Sequence, residues 1–197
     1  MNILITGARG YLGSSIIEGL SGHDIIEFSG DVRYVKTFEK IDMVYHFAGP
    51  SDRCDFKDKY KTTTTIIDGT INMVRLTKEH DATLVFASTM GVHTYDINDM
   101  YCSCKRAMEH YIQSNLKKYY ILRIPRVYSK CRQKGLMKQL RNDTVPDRDM
   151  NKSVQFLPLD LFVNQTNMII NNGSFGVYEY TDLITDTIGG IKKRYEL

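Results

Sequence analysis

Tyr101 and Lys105 stand four residues apart in the run Tyr-Cys-Ser-Cys-Lys, and the pair Ser88-Thr89 precedes them. A phenol and an ammonium at that spacing share one face of a helix. The chemistry such a pair serves is proton exchange at a carbinol oxygen while hydride moves at the carbon beside it. A free phenol titrates near 10 and is a poor base at neutral pH, but a neighbouring ammonium favours phenolate and lowers that value. Tyrosine and lysine at this spacing are common on amphipathic helices, and the chain has 13 tyrosines. The pair therefore takes its meaning from its surroundings.

The most telling neighbour is at the N-terminus. Gly7, Gly10 and Gly13 lie in Thr-Gly-Ala-Arg-Gly-Tyr-Leu-Gly, directly after the apolar run Ile3-Leu4-Ile5 and before a helical pattern of Leu12, Ile16, Ile17 and Leu20. Strand, glycine turn and helix form the context in which a glycine pattern marks a dinucleotide loop. Glycine lets backbone N–H groups approach a pyrophosphate, and the start of the helix adds partial positive charge. Two residues separate each glycine from the next, whereas the commoner dinucleotide pattern has one residue in the first gap.

The elements that must position these groups alternate. After Ile3 to Thr6 and its helix, strands are expected at Asp24 to Phe28 and Met43 to Phe47, the second stopping at Ala48-Gly49-Pro50. The short separation of those two strands suggests that one strand-helix unit is missing. A long helix is expected over residues 59–80, with Ile66, Ile67, Ile71, Val74 and Leu76 as its core face, although Thr62 to Thr65 are poor helix formers. Thr83 to Ser88 is a further strand, Asp99 to Leu116 a helix, and Tyr119 to Ile124 a strand ending before Pro125. Such alternation implies an α/β fold with a mostly parallel, doubly wound sheet. Beyond Tyr128 come a basic stretch from Lys130 to Arg141, a polar loop through Pro146, a strand near Val154 to Leu157, and a helix over Leu159 to Ile170. A strand from Gly176 to Tyr180 and a helix from Asp182 to Ile191 end the chain.

The 197 residues, 42% hydrophobic and 25% charged, suit one folded domain, and no run is long and apolar enough to suggest secretion or a membrane span. Cys54, Cys102, Cys104 and Cys131 lack the paired spacing of a zinc site, so free thiols in a reducing cytoplasm are expected and no metal. A net charge of +3 is too small to indicate nucleic acid. It suits a phosphate-bearing ligand.

Five segments together carry a family likeness: Thr6 to Gly13, His46-Phe47-Ala48-Gly49, Phe86-Ala87-Ser88-Thr89, Tyr101 to Lys105, and Leu122-Arg123-Ile124-Pro125-Arg126-Val127-Tyr128. In this order the chain resembles the extended short-chain dehydrogenase/reductase family, the NAD-dependent epimerase/dehydratase group. The resemblance implies a Rossmann-type fold over residues 1–197, with 129–197 contributing a substrate-binding part reduced relative to most members. It implies Tyr101 as acid/base, Lys105 as its partner and a binder of the nicotinamide ribose, and Thr89 as hydrogen-bond donor to the substrate oxygen, with Ser88 as the fallback. Cofactor contacts are implied for Gly7, Arg9, Gly10, Tyr11, Leu12, Gly13, Ala48, Gly49, Pro50, Ser88, Pro125 and Val127.

The resemblance also places Ser29 at the end of the second strand, where an acid would bind the ribose hydroxyl of NAD. Serine there, with Arg9 and Arg33 near enough to reach a 2′-phosphate, favours NADP over NAD, while Glu27 or Asp31 serves NAD if the register shifts. Family dehydratases carry Asp-Glu after the Ser/Thr; here Met90 and Gly91 occupy those places, which disfavours elimination, and the lack of a Cys at Gly91 disfavours epimerisation next to the ketone. Asp68 replaces an Asn that supports the lysine in the family. His93 is a packed histidine or an extra proton donor, and Arg126, Arg132 and Arg141 are diphosphate ligands or solvated charges. The expected activity is that of a 4-ketoreductase or 4-epimerase on a nucleotide-activated sugar, in a homodimer built on the helices at 59–80 and 99–116. The alternative is a non-catalytic dinucleotide sensor or interaction protein.

Overall fold

The computed structural model describes residues 1–35, 38–50, 55–96 and 98–197. Cys54 lies outside the described residues. Strands β1 (Asn2–Thr6), β2 (Asp24–Phe28), β3 (Met43–His46), β4 (Thr83–Thr89) and β5 (Tyr119–Ile124) follow the expected alternation, and β6 (Val127–Tyr128), β7 (Ser153–Pro158), β8 (Gly176–Glu179) and β9 (Ile184–Thr187) complete the set. The helices are α1 (Tyr11–Ile17), α2 (Lys59–Glu79), α3 (Met100–Asn115), α4 (Gly135–Arg141), α5 (Leu159–Asn172) and α6 (Ile188–Arg194).

Six strands form one parallel sheet in the order β2-β1-β3-β4-β5-β8. The chain steps outward from β1 to β2, then returns to the other side of β1 at β3, so the strand order reverses between β1 and β3. Ligands of such sheets bind outside the carboxyl ends of the strands at that reversal. Among the described residues no strand or helix lies between β2 and β3, in keeping with the missing unit expected from their spacing.

Side chains of a strand alternate between its faces, and helices cover both faces here, so the inner strands β1, β3 and β4 are buried along most of their length. Ile3 and Ile5 join Ile16 of α1 and Phe162 of α5 in one core layer. Leu4 points the other way, into a layer with Ile66, Met73 and Val74 of α2 and Met108 and Ile112 of α3. The core stripe of α2 runs through Thr62, Ile66, Gly69, Thr70, Met73 and Thr77, while Ile67 and Ile71 are only half-buried. Packing thus overrides threonine's low propensity, and the Asp58 cap, which accepts from the Lys61 N–H, adds about 1 kcal/mol.

The C-terminal part departs from expectation at its end. Ile184–Thr187 is a strand paired antiparallel with β7, with Ile184 opposite Phe156, and the helix begins only at Ile188 under a Thr187 cap. β-branched Ile184, Thr185 and Thr187 suit a strand better than the helix expected from Asp182 onward. β6, β7 and β9 form a second sheet over a third core of Tyr128, Met137, Leu140, Phe156, Ile188 and Ile191. Among the described residues no helix is long and apolar enough to cross a membrane.

Candidate active site

The glycine loop and the loop after β3 meet at the sheet's reversal point. Gly7 has φ of +72°, and a Cβ there would lie 2.7 Å from the backbone N of Ala48. A Cβ on Gly13 would lie 2.2 Å from the carbonyl O of Gly7. The first glycine is required by conformation and contact, the third by close approach of α1 to the turn. Thr6 ties the loops together: its Oγ1 accepts from the Ala48 N–H at 3.3 Å and lies 2.7 Å from Nδ1 of His46. Beside them, Gly49 and Pro50 face Lys57, Lys61, Thr62 and Thr65 across a pocket of about 510 Å³. The residues fit a dinucleotide loop, because Gly7 and Gly13 let α1 pack tightly on the end of β1 and on the loop after β3, and the adjoining pocket is lined by Lys57 and Lys61 together with Asp58.

Within the loop, Leu12 packs on the core and Tyr11 donates to Ser129 Oγ at 2.8 Å, reaching the chain beyond β6. Gly10 and Arg9 are exposed, as is Ser29 at the end of β2. Arg33 is held by Asp31, with Nη2 2.5 Å from Oδ2, and its Nη1 donates to Thr64 Oγ1 at 3.3 Å. That guanidinium keeps the Asp31 carboxyl down at about 2, so this acid is ionised and already paired. Glu27, the other acid considered for the ribose, is exposed.

Ser88 and Thr89 are separated by the strand's own alternation. The Ser88 hydroxyl, 4% exposed, donates to Glu109 of α3, whereas Thr89 is half-buried and its Oγ1 accepts from the Gly91 N–H at 3.2 Å. The main chain then turns through Met90–His93, a turn pinned by Arg106, which donates to the carbonyls of Val92 and Thr94. A Cβ at Gly91 would lie 2.5 Å from Cys102 Sγ, so a side chain there would displace that thiol. His93 is exposed and lies 2.6 Å from Glu179 Oε1.

Helix α3, capped by Asp99, brings Tyr101 and Lys105 to that strand end. Lys105 is 5% exposed; its Nζ donates to the Ala87 carbonyl at 2.6 Å and sits 4.5 Å from the Phe86 ring centroid and 5.9 Å from that of Tyr101. Burial lowers its pKa to about 8, against a raising effect of Glu109. The support of Lys105 is therefore a backbone carbonyl, while Asp68 is exposed. Tyr101 stacks on Phe56, centroids 4.7 Å apart. Its pKa is raised, by burial first and then by Cys102 and Asp99, the reverse of the lowering expected from a lysine neighbour. The ammonium is turned toward Ala87, and its distance from the phenol ring leaves desolvation dominant. Cys102 and Cys104 are buried and their thiol pKa values raised by burial, Cys102 to about 12, which suits packing and not nucleophilicity.

Sequence reading did not single out the acid that organises this region. Glu109, 2% exposed, receives Ser88 and is gripped by Arg123 of β5, whose Nη2 lies 2.8 Å from Oε2. Arg123 continues to Glu179 at 3.0 Å. Its signal was a glutamate four positions after Lys105 on the same helical face. Pro125 is half-buried and Val127 turns its side chain into the core, so only backbone is offered by Val127. Arg126 is exposed, and Arg141 is spent on backbone carbonyls of Lys130 and Arg132.

The family model for the RmlD substrate binding domain matches residues 1–151. The chain belongs to this family, within the extended short-chain dehydrogenase/reductases. It is similar to the UDP-glucuronic acid decarboxylase 6 of Arabidopsis thaliana, 29% identical over 47% of this chain and 35% of the relative. The match thus spans about a third of that relative's length. Among solved structures, the dTDP-4-dehydrorhamnose reductase of Bacillus anthracis in complex with NADP superposes with a TM-score of 0.81 at 17% identity, covering 100% of this chain and 81% of that one. The UDP-glucuronic acid 4-epimerase of Bacillus cereus in complex with NAD gives 0.81 at 20% identity, covering 100% and 83%. Both likenesses establish the Rossmann-type fold.

Proposed function

We propose that this RmlD-family chain is an NAD(P)-dependent enzyme that oxidises or reduces a secondary alcohol or ketone of a nucleotide-activated sugar, as a 4-ketoreductase or 4-epimerase. The observation that carries the reading is that Lys105, bonded to the Ala87 carbonyl and 5.9 Å from the Tyr101 ring centroid, lies against the carboxyl half of β4, the strand that ends in Thr89. It is joined by the family membership and by relatives and structural neighbours named for sugar-nucleotide chemistry.

A bound nicotinamide supplies or accepts the hydride. Thr89, the half-exposed hydroxyl at the strand end, holds the sugar oxygen, and Tyr101 exchanges the proton with it. Burial keeps the Tyr101 phenol protonated in the free chain, the form needed to donate to a ketone being reduced. Oxidation needs the phenolate, which the Lys105 ammonium and the positive charge of an oxidised nicotinamide favour together. NADP is the preferred partner: Ser29 sets no carboxylate at the end of β2, Asp31 is neutralised by Arg33, and Arg9 is exposed in the glycine loop. Residues 129–197 furnish a reduced sugar-binding part of the same domain, and the half-buried Ile67 and Ile71 of α2 offer a surface for a homodimer.

The test is a screen of nucleotide sugars against the purified chain, following nicotinamide absorbance and sugar identity together. Net absorbance change indicates a ketoreductase, and turnover without it a 4-epimerase. No turnover with any sugar while NADPH binds would overturn the enzyme reading.

A further inference from the structure

Between Phe28, where β2 ends, and Met43, where β3 begins, no strand or helix occurs among the described residues, so no ladder fixes the segment that follows Ser29. Helix α2 fixes it instead. The side-chain amide of Asn72 donates to the carbonyl O of Val32 at 3.0 Å and to that of Arg33 at 2.9 Å. An amide nitrogen carries two hydrogens, and consecutive carbonyls take both. Among the described residues, Asn72 is the only group outside residues 31–35 that hydrogen-bonds to their main chain.

Two further contacts of α2 support the same segment. Val32, 3% exposed, lies against Gly69, where a Cβ would come within 2.6 Å of its Cγ2, and Arg33 Nη1 donates to Thr64 Oγ1 at 3.3 Å. Within the segment, the Tyr34 N–H closes a turn on the Asp31 carbonyl at 2.9 Å, and Asp31 aligns the guanidinium of Arg33. Main chain and side chain of Arg33 are thus both held from α2.

In a sheet of this order the adenosine ribose lies past the end of the second strand, where an acid takes the 2′-hydroxyl of NAD or a nearby arginine the 2′-phosphate of NADP. Arg33 stands four residues beyond Ser29 in a stretch without regular structure, so the placement of its main chain decides what its guanidinium can reach. A guanidinium bonds phosphate through a planar fork, and direction matters as much as distance. We propose that Asn72 is a positioning residue for cofactor choice, holding Arg33 from α2 so that its guanidinium tells a 2′-phosphate from a 2′-hydroxyl. This rests on the NADP reading above.

The experiment measures NADPH and NADH affinity of the full chain for wild type, Arg33→Met, Asn72→Leu, Asn72→Ser and the double variant Asn72→Leu/Arg33→Met, with thermal midpoints to follow folding. Arg33→Met should narrow the NADPH:NADH affinity ratio by roughly 10-fold, the loss of a charge-assisted hydrogen bond. Asn72→Leu should narrow it by roughly 3- to 10-fold while NADH affinity stays within about 2-fold of wild type. Asn72→Ser, which keeps one donor, should fall between wild type and Asn72→Leu, and it carries the test if the leucine variant melts early. Because Asn72 acts through Arg33, the double variant should narrow the ratio no further than Arg33→Met alone. An unchanged ratio in the Asn72 variants overturns the proposal, including the case in which both cofactors weaken alike as from a purely structural loss. Further narrowing in the double variant overturns it as well. A wild-type chain without preference for NADPH, or an Arg33→Met chain with the wild-type ratio, overturns the NADP reading itself, a result visible without any Asn72 variant.

Discussion

Arg123 grips Glu109 through two nitrogens, Nη2 at 2.8 Å and Nε at 3.1 Å from Oε2, and Glu109 is 2% exposed. The pair bolts α3 to β5 at the level where α3 carries Tyr101 and Lys105. Removing one partner of a buried pair leaves the other charge stranded, which costs about 3–5 kcal/mol. Because Arg123 keeps Glu179 and is partly exposed, Glu109→Gln should lower the unfolding free energy in urea by about 1–3 kcal/mol, the loss of charge-assisted hydrogen bonds. Glu179→Gln, at the exposed end of the same chain of contacts, should cost under about 1 kcal/mol. Equal effects of the two would contradict the buried pair as the anchor.

His46 is a second buried group with a measurable signature. It sits between Thr6 and Thr70 hydroxyls, and burial, with Lys105 adding to it, lowers its pKa to about 3. A histidine depressed in the folded state gives stability that is complete above its unfolded value near 6.5 and is lost as pH falls toward 3. The slope in that window should approach one proton, up to about 5 kcal/mol in all. His46→Gln should remove that proton from the pH dependence measured by denaturant titration.

Lys105 titrates in the opposite range with the same sign. Its folded value of about 8 against about 10.5 unfolded means that unfolding takes up a proton between those values, so the stability of the free chain rises from pH 8 to 10.5. The buried ammonium costs about 3 kcal/mol at neutral pH. Lys105→Met should raise the thermal midpoint of the ligand-free chain while abolishing turnover. A lower midpoint would show that the Ala87 hydrogen bond outweighs desolvation.

Tyr101→Phe separates an enzyme from a dinucleotide sensor. Removing the proton carrier should reduce turnover by about 10²–10⁴-fold with NADPH affinity kept, because the ring still stacks on Phe56. Unchanged function in this variant would leave the sensor reading standing.

Local requirements of the chain were legible from its residues. Ile3, Leu4 and Ile5 alternate between two core layers because a strand does, Gly7 and Gly13 are glycines because the turn and the helix approach allow no Cβ, and Tyr101 and Lys105 share a face because a helix repeats near four. The end of the chain was less so: Ile184–Thr187 is a strand only because β7 is there to pair with it.

What only the tertiary structure decided are the partners. Strand alternation puts Ser88 and Thr89 on opposite faces, and it is the tertiary placement of Glu109 that supplies the partner of the buried Ser88 hydroxyl. Arg123 and Glu109, Arg132 and Tyr11, Phe56 and Tyr101 meet across different elements, and no local period encodes such pairs. The same holds for charge: types and spacing specify a phenol and an ammonium, but burial and the direction of the Lys105 side chain determine which of them keeps its proton.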